Sequence, residues 1–238
     1  LSRIHSIIMC QIEVKGRYKM NILLMGLPGA GKGTQSERLV KDYQIVHIAT
    51  GDIFRAAIQN ETPLGLQAKA YTDNGNLVPD EVTNAIVRER LAQDDVKAQG
   101  FMLDGYPRTS AQAQALDQNL VELNSPIHAV IYIDVDPEVL KDRLSGRIIC
   151  RNCGATYHKL YNPPKVEGVC DNCGASDFYQ REDDKPEKVA YRINLQMESI
   201  RPILDYYEER GLLHRVDGQQ AIDKVYEDIR QILSSVAQ

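Results

Sequence analysis

Short apolar runs alternate along the chain with longer stretches in which apolar residues recur at helical spacing. The runs, rich in branched side chains, lie at residues 20–25, 101–103, 129–133 and 212–216, with a weaker one at 46–48, and they predict five strands. Helical spacing predicts helices at 33–42, 53–60, 81–93, 110–122, 137–144, 187–210 and 219–234. This alternation favours an α/β fold in which a parallel sheet is covered by helices on both faces.

The alternation breaks between about residues 146 and 185, where tyrosine, proline, glycine and paired cysteines predict a small inserted lobe. Cys150 and Cys153 form one C-x-x-C pair, Cys170 and Cys173 another, and sixteen residues separate the pairs. This spacing is typical of a four-thiolate zinc site. Because all four ligands would be protein thiolates, the zinc would be structural and would stabilise a lobe too small for a core. Iron in the same site and disulfides are the alternatives.

Composition and charge exclude several classes of function. The 238 residues are 43% hydrophobic and 26% charged, typical of a globular chain with one main core and an insertion, or two smaller lobes. No apolar run approaches the 18 or so residues that a membrane span needs. The net charge of −5 argues against non-specific nucleic-acid binding, so any phosphate site must concentrate positive charge in a cleft.

The first 19 residues are expected to lie outside the folded part, as an extension that is non-native or disordered. Their apolar patch at 7–9 is too short for a secretory signal, and Met20, directly before the first strand, is the expected start of translation. A native N-terminal strand is the alternative. Without an export signal the expected compartment is the reducing cytoplasm, and Cys10 is expected to be unrelated to the metal site.

A glycine-rich loop follows the first predicted strand and leads into a helix. Its sequence is GLPGAGKGT at 26–34, and in this context such loops wrap phosphates with backbone N–H groups. Lys32 would sit over the β and γ phosphates as a point charge. Gly33 occupies the position after the lysine where a strict Walker A motif has Ser or Thr, and Thr34 comes one later, which weakens the prediction that a hydroxyl ligates Mg²⁺ directly. A glycine-rich turn without phosphate binding is the alternative.

Several motifs in order along the chain resemble the adenylate kinase family. They are the loop at 26–35, TGDIFR at 50–55, LVPD at 77–80, DGYPR at 104–108, Gly146-Arg147, the two cysteine pairs and QREDD at 180–184. The resemblance runs from Met20 to near Gln238 and is to the zinc-bearing bacterial long form. It implies a P-loop NTPase-type five-stranded parallel sheet with a zinc-stapled lid. The implied divisions are a core at 20–145 and 186–238, an AMP-binding segment at 49–79 and a lid at 146–185.

The resemblance also implies the nucleotide contacts. ATP would be bound by Gly29, Ala30, Gly31, Lys32, Gly33, Thr34, Arg147, Thr156, Tyr157 and Gln220. AMP would be bound by Thr50, Arg55, Asn76, Leu77, Val78, Gly105, Tyr106, Pro107, Arg108, Gln112, Arg181 and Arg192. The implied reaction is MgATP plus AMP giving two ADP, in a protein expected to be a monomer that takes part in adenine nucleotide homeostasis.

That reaction needs no protein base, because the attacking AMP phosphate has a second pKa of about 6 and is mostly ionised at pH 7. Catalysis then consists of aligning two polyanions and screening the transferred phosphoryl group, which requires bidentate cations and a metal. Arg55, Arg108, Arg143, Arg147, Arg181 and Arg192 match the family's arginine positions. By this resemblance the predicted catalytic residues are Lys32, Arg108, Arg147, Arg181 and Arg192. Arg55 and Arg108 are assigned to the AMP phosphate, and Arg147, Arg181 and Arg192 to the phosphates that closure brings together. The role of Arg143 stays open, and Asp104 is expected to orient water around Mg²⁺.

Each of these residues also has an ordinary structural interpretation. Arg55 and Arg192 would be solvated or ion-paired on helix surfaces, and Gln112 would be a surface residue. Asp183 and Asp184 are predicted to be structural and not catalytic, in a solvated hinge segment with local ion pairs. Lid closure, on hinges near 146 and 185, would exclude water as a competing acceptor.

Three other functions remain open at this point. They are a P-loop switch or ATPase, a nucleic-acid-binding zinc module fused to an NTPase, and a kinase for another nucleoside monophosphate. The chain lacks an Asn-Lys-x-Asp guanine motif and a lysine-rich aromatic patch, which disfavours the first two.

Overall fold

A five-stranded parallel sheet lies at the centre of the protein, whose computed structural model describes residues 19–74 and 76–236. Its strands are β1 (Met20–Met25), β2 (Val46–Ala49), β3 (Gly100–Asp104), β4 (Ala129–Asp134) and β8 (Leu213–Asp217). Their spatial order is β2-β3-β1-β4-β8, and every neighbouring pair is parallel. β1 is buried along its whole length, as expected for a central strand covered on both faces.

Helices cover the two faces of this sheet. The described helices are α1 (Lys32–Tyr43), α2 (Thr50–Gln59), α3 (Pro63–Thr72), α4 (Asp80–Leu91), α5 (Asp94–Gln99), α6 (Ser110–Glu122), α7 (Pro137–Ser145), α8 (Pro186–Glu208) and α9 (Ile222–Val236). Of these, α3 packs against α2 and not on the sheet. Because side chains alternate across a strand, Ile22 and Leu24 belong to one apolar core while Leu23 and Met25 belong to the other. The first core includes Leu39 of α1, and the second includes side chains of α4, α6 and α8.

A second, smaller sheet lies between α7 and α8. Its strands β5 (Arg147–Cys150), β6 (Thr156–His158) and β7 (Phe178–Tyr179) are antiparallel, in the order β6-β5-β7. A single 3₁₀ turn at Glu182–Asp184 then leads into α8. The buried residues of this lobe's apolar cluster are Cys150, Tyr157 and Cys170, so packing alone gives it little stability.

The predicted α/β architecture is confirmed, with a parallel sheet of five strands and a small inserted lobe. Strand and helix bounds differ from the predictions by a few residues, the largest shifts being the starts of α2 at Thr50 and of α9 at Ile222. Two helices, α3 and α5, were not predicted. Within the described residues no helix is long and apolar enough to cross a membrane. The extension expected at 1–19 lies outside the described residues except for Lys19.

The missed helix α3 has a clear start signal but a weak helical pattern. Pro63 occupies its first turn, and the Thr62 side chain accepts a hydrogen bond from the Gly65 N–H, which is a standard start for a helix. Its small residues do not form an apolar stripe because α3 packs closely against α2. A Cβ at Gly65 would lie 2.0 Å from the Ala57 carbonyl oxygen, so only glycine permits this contact.

Candidate active site

The glycine-rich loop between β1 and α1 has a backbone that only glycine adopts readily. Gly29 and Gly31 have φ of 85° and 95°, in the left-handed region. Gly31 directly precedes Lys32, the first residue of α1, so the loop presents the positive end of the helix dipole. The Lys32 ammonium donates to the carbonyl oxygens of Gly26 (2.7 Å) and Leu27 (3.2 Å). Burial lowers the pKa of Lys32 to about 8, so at pH 7 the ammonium remains charged and is poorly solvated.

A cleft of about 920 Å³ opens where this loop leaves the sheet. β3 and β4 flank β1 on opposite sides, and such a switch in strand order is where ligands bind in open α/β sheets. Seventeen of the predicted or discussed site residues line the cleft: Gly29, Ala30, Gly31, Lys32, Gly33, Thr34, Arg55, Asp104, Gly105, Arg108, Arg143, Arg147, Thr156, Tyr157, Arg181, Arg192 and Gln220. The structure therefore brings together residues that lie far apart in the sequence.

Two of the cleft arginines share one buried carboxylate. The Asp184 side chain is 0% exposed. It accepts from Arg147 through Nε (2.7 Å) and Nη2 (2.5 Å), and from Arg192 through Nη1 (3.0 Å). Arg192 also pairs with Asp183 at 2.8 Å. The prediction that Asp183 and Asp184 form ion pairs is correct, but the partners of Asp184 are not local, since Arg147 and Arg192 lie 37 and 8 positions away. The expectation that Asp184 is solvated is wrong, because the two guanidinium groups replace its water.

Arg108 and Arg181 are also largely buried in the cleft. Burial lowers the pKa of each to about 10, so both remain charged at neutral pH. Arg108 donates through Nε to the Gly105 carbonyl at 2.7 Å. In the described structure the Nε of Arg181 is buried without a hydrogen-bond partner. A buried donor of this kind is costly unless an acceptor arrives, and a phosphate oxygen is a suitable acceptor.

The remaining two arginines of the cleft are engaged by protein groups. Arg55, on α2, forms an ion pair with Asp52, and its side chain is 39% exposed. Arg143, on α7, donates to the Gly218 carbonyl at 3.0 Å.

Asp104 ends β3 beside the phosphate loop and is held ionised. Its carboxylate lies 3.7 Å from His47 Nε2. Burial acts to raise the pKa of Asp104, but the His47 ring and the Lys32 charge outweigh it, and the pKa is lowered. An ionised carboxylate at this position can bind metal-bound water.

Seven of the residues assigned to AMP lie outside the lining of the large cleft: Thr50, Asn76, Leu77, Val78, Tyr106, Pro107 and Gln112. Thr50 donates to the Gly105 carbonyl at 3.0 Å, and Asn76 Oδ1 accepts from the Tyr191 hydroxyl at 3.0 Å. Val78 packs against Phe54. Their assignment to AMP stays a prediction.

Gln112 is buried, and both ends of its side-chain amide are bound within the protein. Its Oε1 accepts from the Arg108 N–H and its Nε2 donates to Asp80 Oδ1, each at 2.7 Å. Asp80 Oδ2 also accepts from the Thr109 hydroxyl at 2.7 Å. Asp80 thus fixes the segment that carries Arg108, a role that its position in the sequence does not indicate. The surface interpretation of Gln112 is wrong.

The four lid cysteines form one compact cluster of thiols. Their sulfur atoms all lie within 4.8 Å of one another. The Cys150–Cys173 and Cys153–Cys170 sulfurs are 3.6 and 3.5 Å apart, much longer than the roughly 2.05 Å of a disulfide. Each C-x-x-C segment forms a turn that is closed by a backbone hydrogen bond. The Gly154 N–H donates to the Cys150 carbonyl in the first turn, and the Gly174 N–H donates to the Cys170 carbonyl in the second. The cluster could hold a metal ion.

Comparisons with known proteins agree with this geometry. The family model for adenylate kinase matches residues 24–212. An adenylate kinase of Limosilactobacillus reuteri subsp. reuteri (strain JCM 1112) is 62% identical over 217 residues, covering 91% of this chain and 100% of the relative. One of Enterococcus faecalis (strain ATCC 700802 / V583) is 62% identical over 214 residues, covering 90% and 99%. The chain, with its phosphate loop, convergent arginines and four-cysteine lobe, therefore belongs to the adenylate kinase family.

Proposed function

We propose that the chain catalyses reversible, Mg²⁺-dependent phosphoryl transfer from ATP to AMP, giving two ADP. The observation that carries this proposal is the convergence of Lys32 and several arginines on one cleft at the phosphate loop. None of the described cleft residues is assigned the role of a general base, because the attacking AMP phosphate is already mostly ionised at pH 7. Aligning two polyanions and neutralising the moving phosphoryl group needs only such cations.

The roles proposed for the cations come from the family resemblance, and the position of these cations in the cleft supports them. The loop at 29–34 would hold the ATP phosphates with backbone N–H groups, and Lys32 would exchange its two carbonyl acceptors for phosphate oxygens. Arg108 and Arg55 would bind the AMP phosphate. Arg147, Arg181 and Arg192 would surround the transferred group. Magnesium would arrive with ATP, and its water shell would be oriented by Asp104.

We assign the remaining nucleotide contacts by family resemblance. On the ATP side these are Thr156, Tyr157 and Gln220, all of which line the cleft. On the AMP side they are Thr50, residues 76–78, residues 105–107 and Gln112. Use of Gln112 by AMP would require its amide to exchange at least one of the protein partners described above.

The organisation that accompanies this function is a core at 20–145 and 186–238, an AMP-binding segment at 49–79 and a lid at 146–185. The lid would turn on hinges near Gly146 and Lys185, carrying its arginines inward and excluding water. Zinc would occupy the four-cysteine site as a structural ion, since four thiolates leave no open coordination position. A monomer in the cytoplasm fits this organisation, and unpaired thiols fit a reducing compartment.

The test is ADP formation from MgATP with AMP, CMP, UMP or GMP as acceptor, against MgATP alone. Efficient ADP formation with AMP, and little with the other three, is expected. A preference for another monophosphate would make the protein a related kinase. ATP consumption without any nucleotide acceptor would replace the proposal with an ATPase or switch.

A further inference from the structure

One tyrosine of the lid touches both the nucleotide cleft and the cysteine cluster. Tyr157 lies on β6, lines the large cleft, and is only 8% exposed. Its ring packs edge-on against Phe178, with ring centroids 5.6 Å apart. Its hydroxyl lies 3.3 Å from the Cys170 sulfur. The same side chain therefore connects the nucleotide cleft with the cysteine cluster.

The direction of the hydrogen bond to sulfur follows from counting donors. The Tyr157 oxygen accepts from the Asp171 N–H at 2.8 Å. A phenol has a single O–H donor, and in this arrangement that hydrogen is available to Cys170. A metal-bound cysteine is a thiolate and a good acceptor, so the O–H donates to the sulfur.

This hydroxyl also joins the two halves of the cluster. Cys170 and Asp171 belong to the second cysteine turn, while Tyr157 lies on β6, the strand that follows the first turn. The second turn is closed on itself by hydrogen bonds between Cys170 and residues 174–175. Tyr157 therefore holds the backbone and one sulfur of the second turn against the sheet that carries the first.

We infer that Tyr157 is a positioning residue for the metal centre, orienting the Cys170 thiolate and fixing the second cysteine turn through one hydroxyl. This role rests on the proposal that the four cysteines bind zinc, and adds a function to a residue otherwise assigned to ATP. Partners of this kind orient metal ligands, and their removal typically lowers metal affinity about 10- to 100-fold.

The test compares Tyr157→Phe with Tyr179→Phe in the full zinc-loaded chain. Tyr179 lies in the same small sheet, and its ring contacts the Arg151 guanidinium, centred 4.6 Å away, so its variant controls for loss of a lid hydroxyl. Transfer of zinc to a chromogenic chelator should be at least about 10-fold faster from Tyr157→Phe than from wild type. Tyr179→Phe should match wild type. Turnover is unsuitable as the readout because Tyr157 also lines the cleft.

A spectroscopic measurement separates positioning from general loosening of the lid. With Co²⁺ in place of zinc, the thiolate-to-cobalt absorption band should shift in Tyr157→Phe and stay unchanged in Tyr179→Phe. Circular dichroism of the metal-loaded variants should show that both fold. Equal zinc transfer and identical cobalt bands in Tyr157→Phe and wild type would overturn the inference while leaving the zinc proposal intact. Wild-type protein that takes up neither ion would overturn both.

Discussion

Asp184 offers the sharpest test of how the arginine cluster is assembled. Its carboxylate is fully buried and accepts three hydrogen bonds from Arg147 and Arg192. Asp184→Asn keeps the shape of the side chain but removes its charge, so two nearly buried guanidinium groups lose a shared counter-ion. Removing one partner of a buried ion pair costs about 3–5 kcal/mol. Because Arg192 keeps its contact with Asp183, we expect the lower end, about 3 kcal/mol of unfolding free energy.

Asp183→Asn is the matched control for this variant. Asp183 is the adjacent residue and also pairs with Arg192, but its side chain is 22% exposed and Arg192 retains Asp184. Partly exposed pairs contribute about 1 kcal/mol or less. Urea unfolding followed by circular dichroism, analysed at a common denaturant slope, measures both losses.

Turnover should separate the two variants as well. Displacement of Arg147 or Arg192 by about 1 Å is enough to lower the rate of phosphoryl transfer about 100-fold. We therefore expect Asp184→Asn to lose about 100-fold in kcat at low temperature, where it stays folded, and Asp183→Asn to lose much less. If the two variants lost stability and turnover equally, Asp184 would not be the residue that organises the cluster.

Three further predictions test other parts of the site. Since the pKa of Lys32 is lowered to about 8, kcat/KM for MgATP should fall as pH rises through 8, where the free enzyme loses this charge. Lys32→Met should lower turnover about 100-fold or more while keeping the midpoint of urea unfolding. A flat pH profile to pH 9.5, or near-normal turnover of Lys32→Met, would refute the loop assignment. Cys150→Ser should lower the melting temperature far more than the low-temperature turnover, and an unchanged calorimetric melting curve would remove the metal's stabilising role. Gly146→Ala should disturb the hinge because the new Cβ atom would lie 2.2 Å from the His158 ring. Proteolysis of the lid should become faster in this variant and return to the wild-type rate when His158→Ala is added. An unchanged rate of proteolysis in Gly146→Ala would contradict this steric coupling.

The parts of the structure that sequence analysis predicted depend on residues close together in the chain. The phosphate loop follows from glycines, a lysine and a preceding apolar strand within about a dozen positions. The cysteine cluster follows from two short spacings. The strands of the parallel sheet were visible because their apolar residues are continuous and buried on both faces, as in β1.

The parts that could not be predicted depend on partners far apart in the chain. Asp184 lies 37 positions from Arg147, so the sequence shows an acidic residue in a charge run, and only the fold shows that two arginines bury it. Gln112 likewise meets Asp80 across 32 positions. The helix α3 was missed for a different reason, because its buried residues Gly65 and Ala68 are small, pack closely against α2 and leave no apolar stripe.

The same fold that gathers these cations leaves them short of counter-charge. Burial lowers the pKa of Lys32, Arg108 and Arg181, which means that each charged form is less stable here than in water. Asp184 offsets part of this cost for Arg147 and Arg192, whereas the Nε of Arg181 has no partner in the described structure. Nucleotide phosphates would supply the missing negative charge and be bound most strongly where the cations converge. In the proposed mechanism the bound nucleotides therefore stabilise the closed, water-free cleft. Closure then follows binding of both nucleotides, so water has little access to the phosphoryl group while that group is transferred.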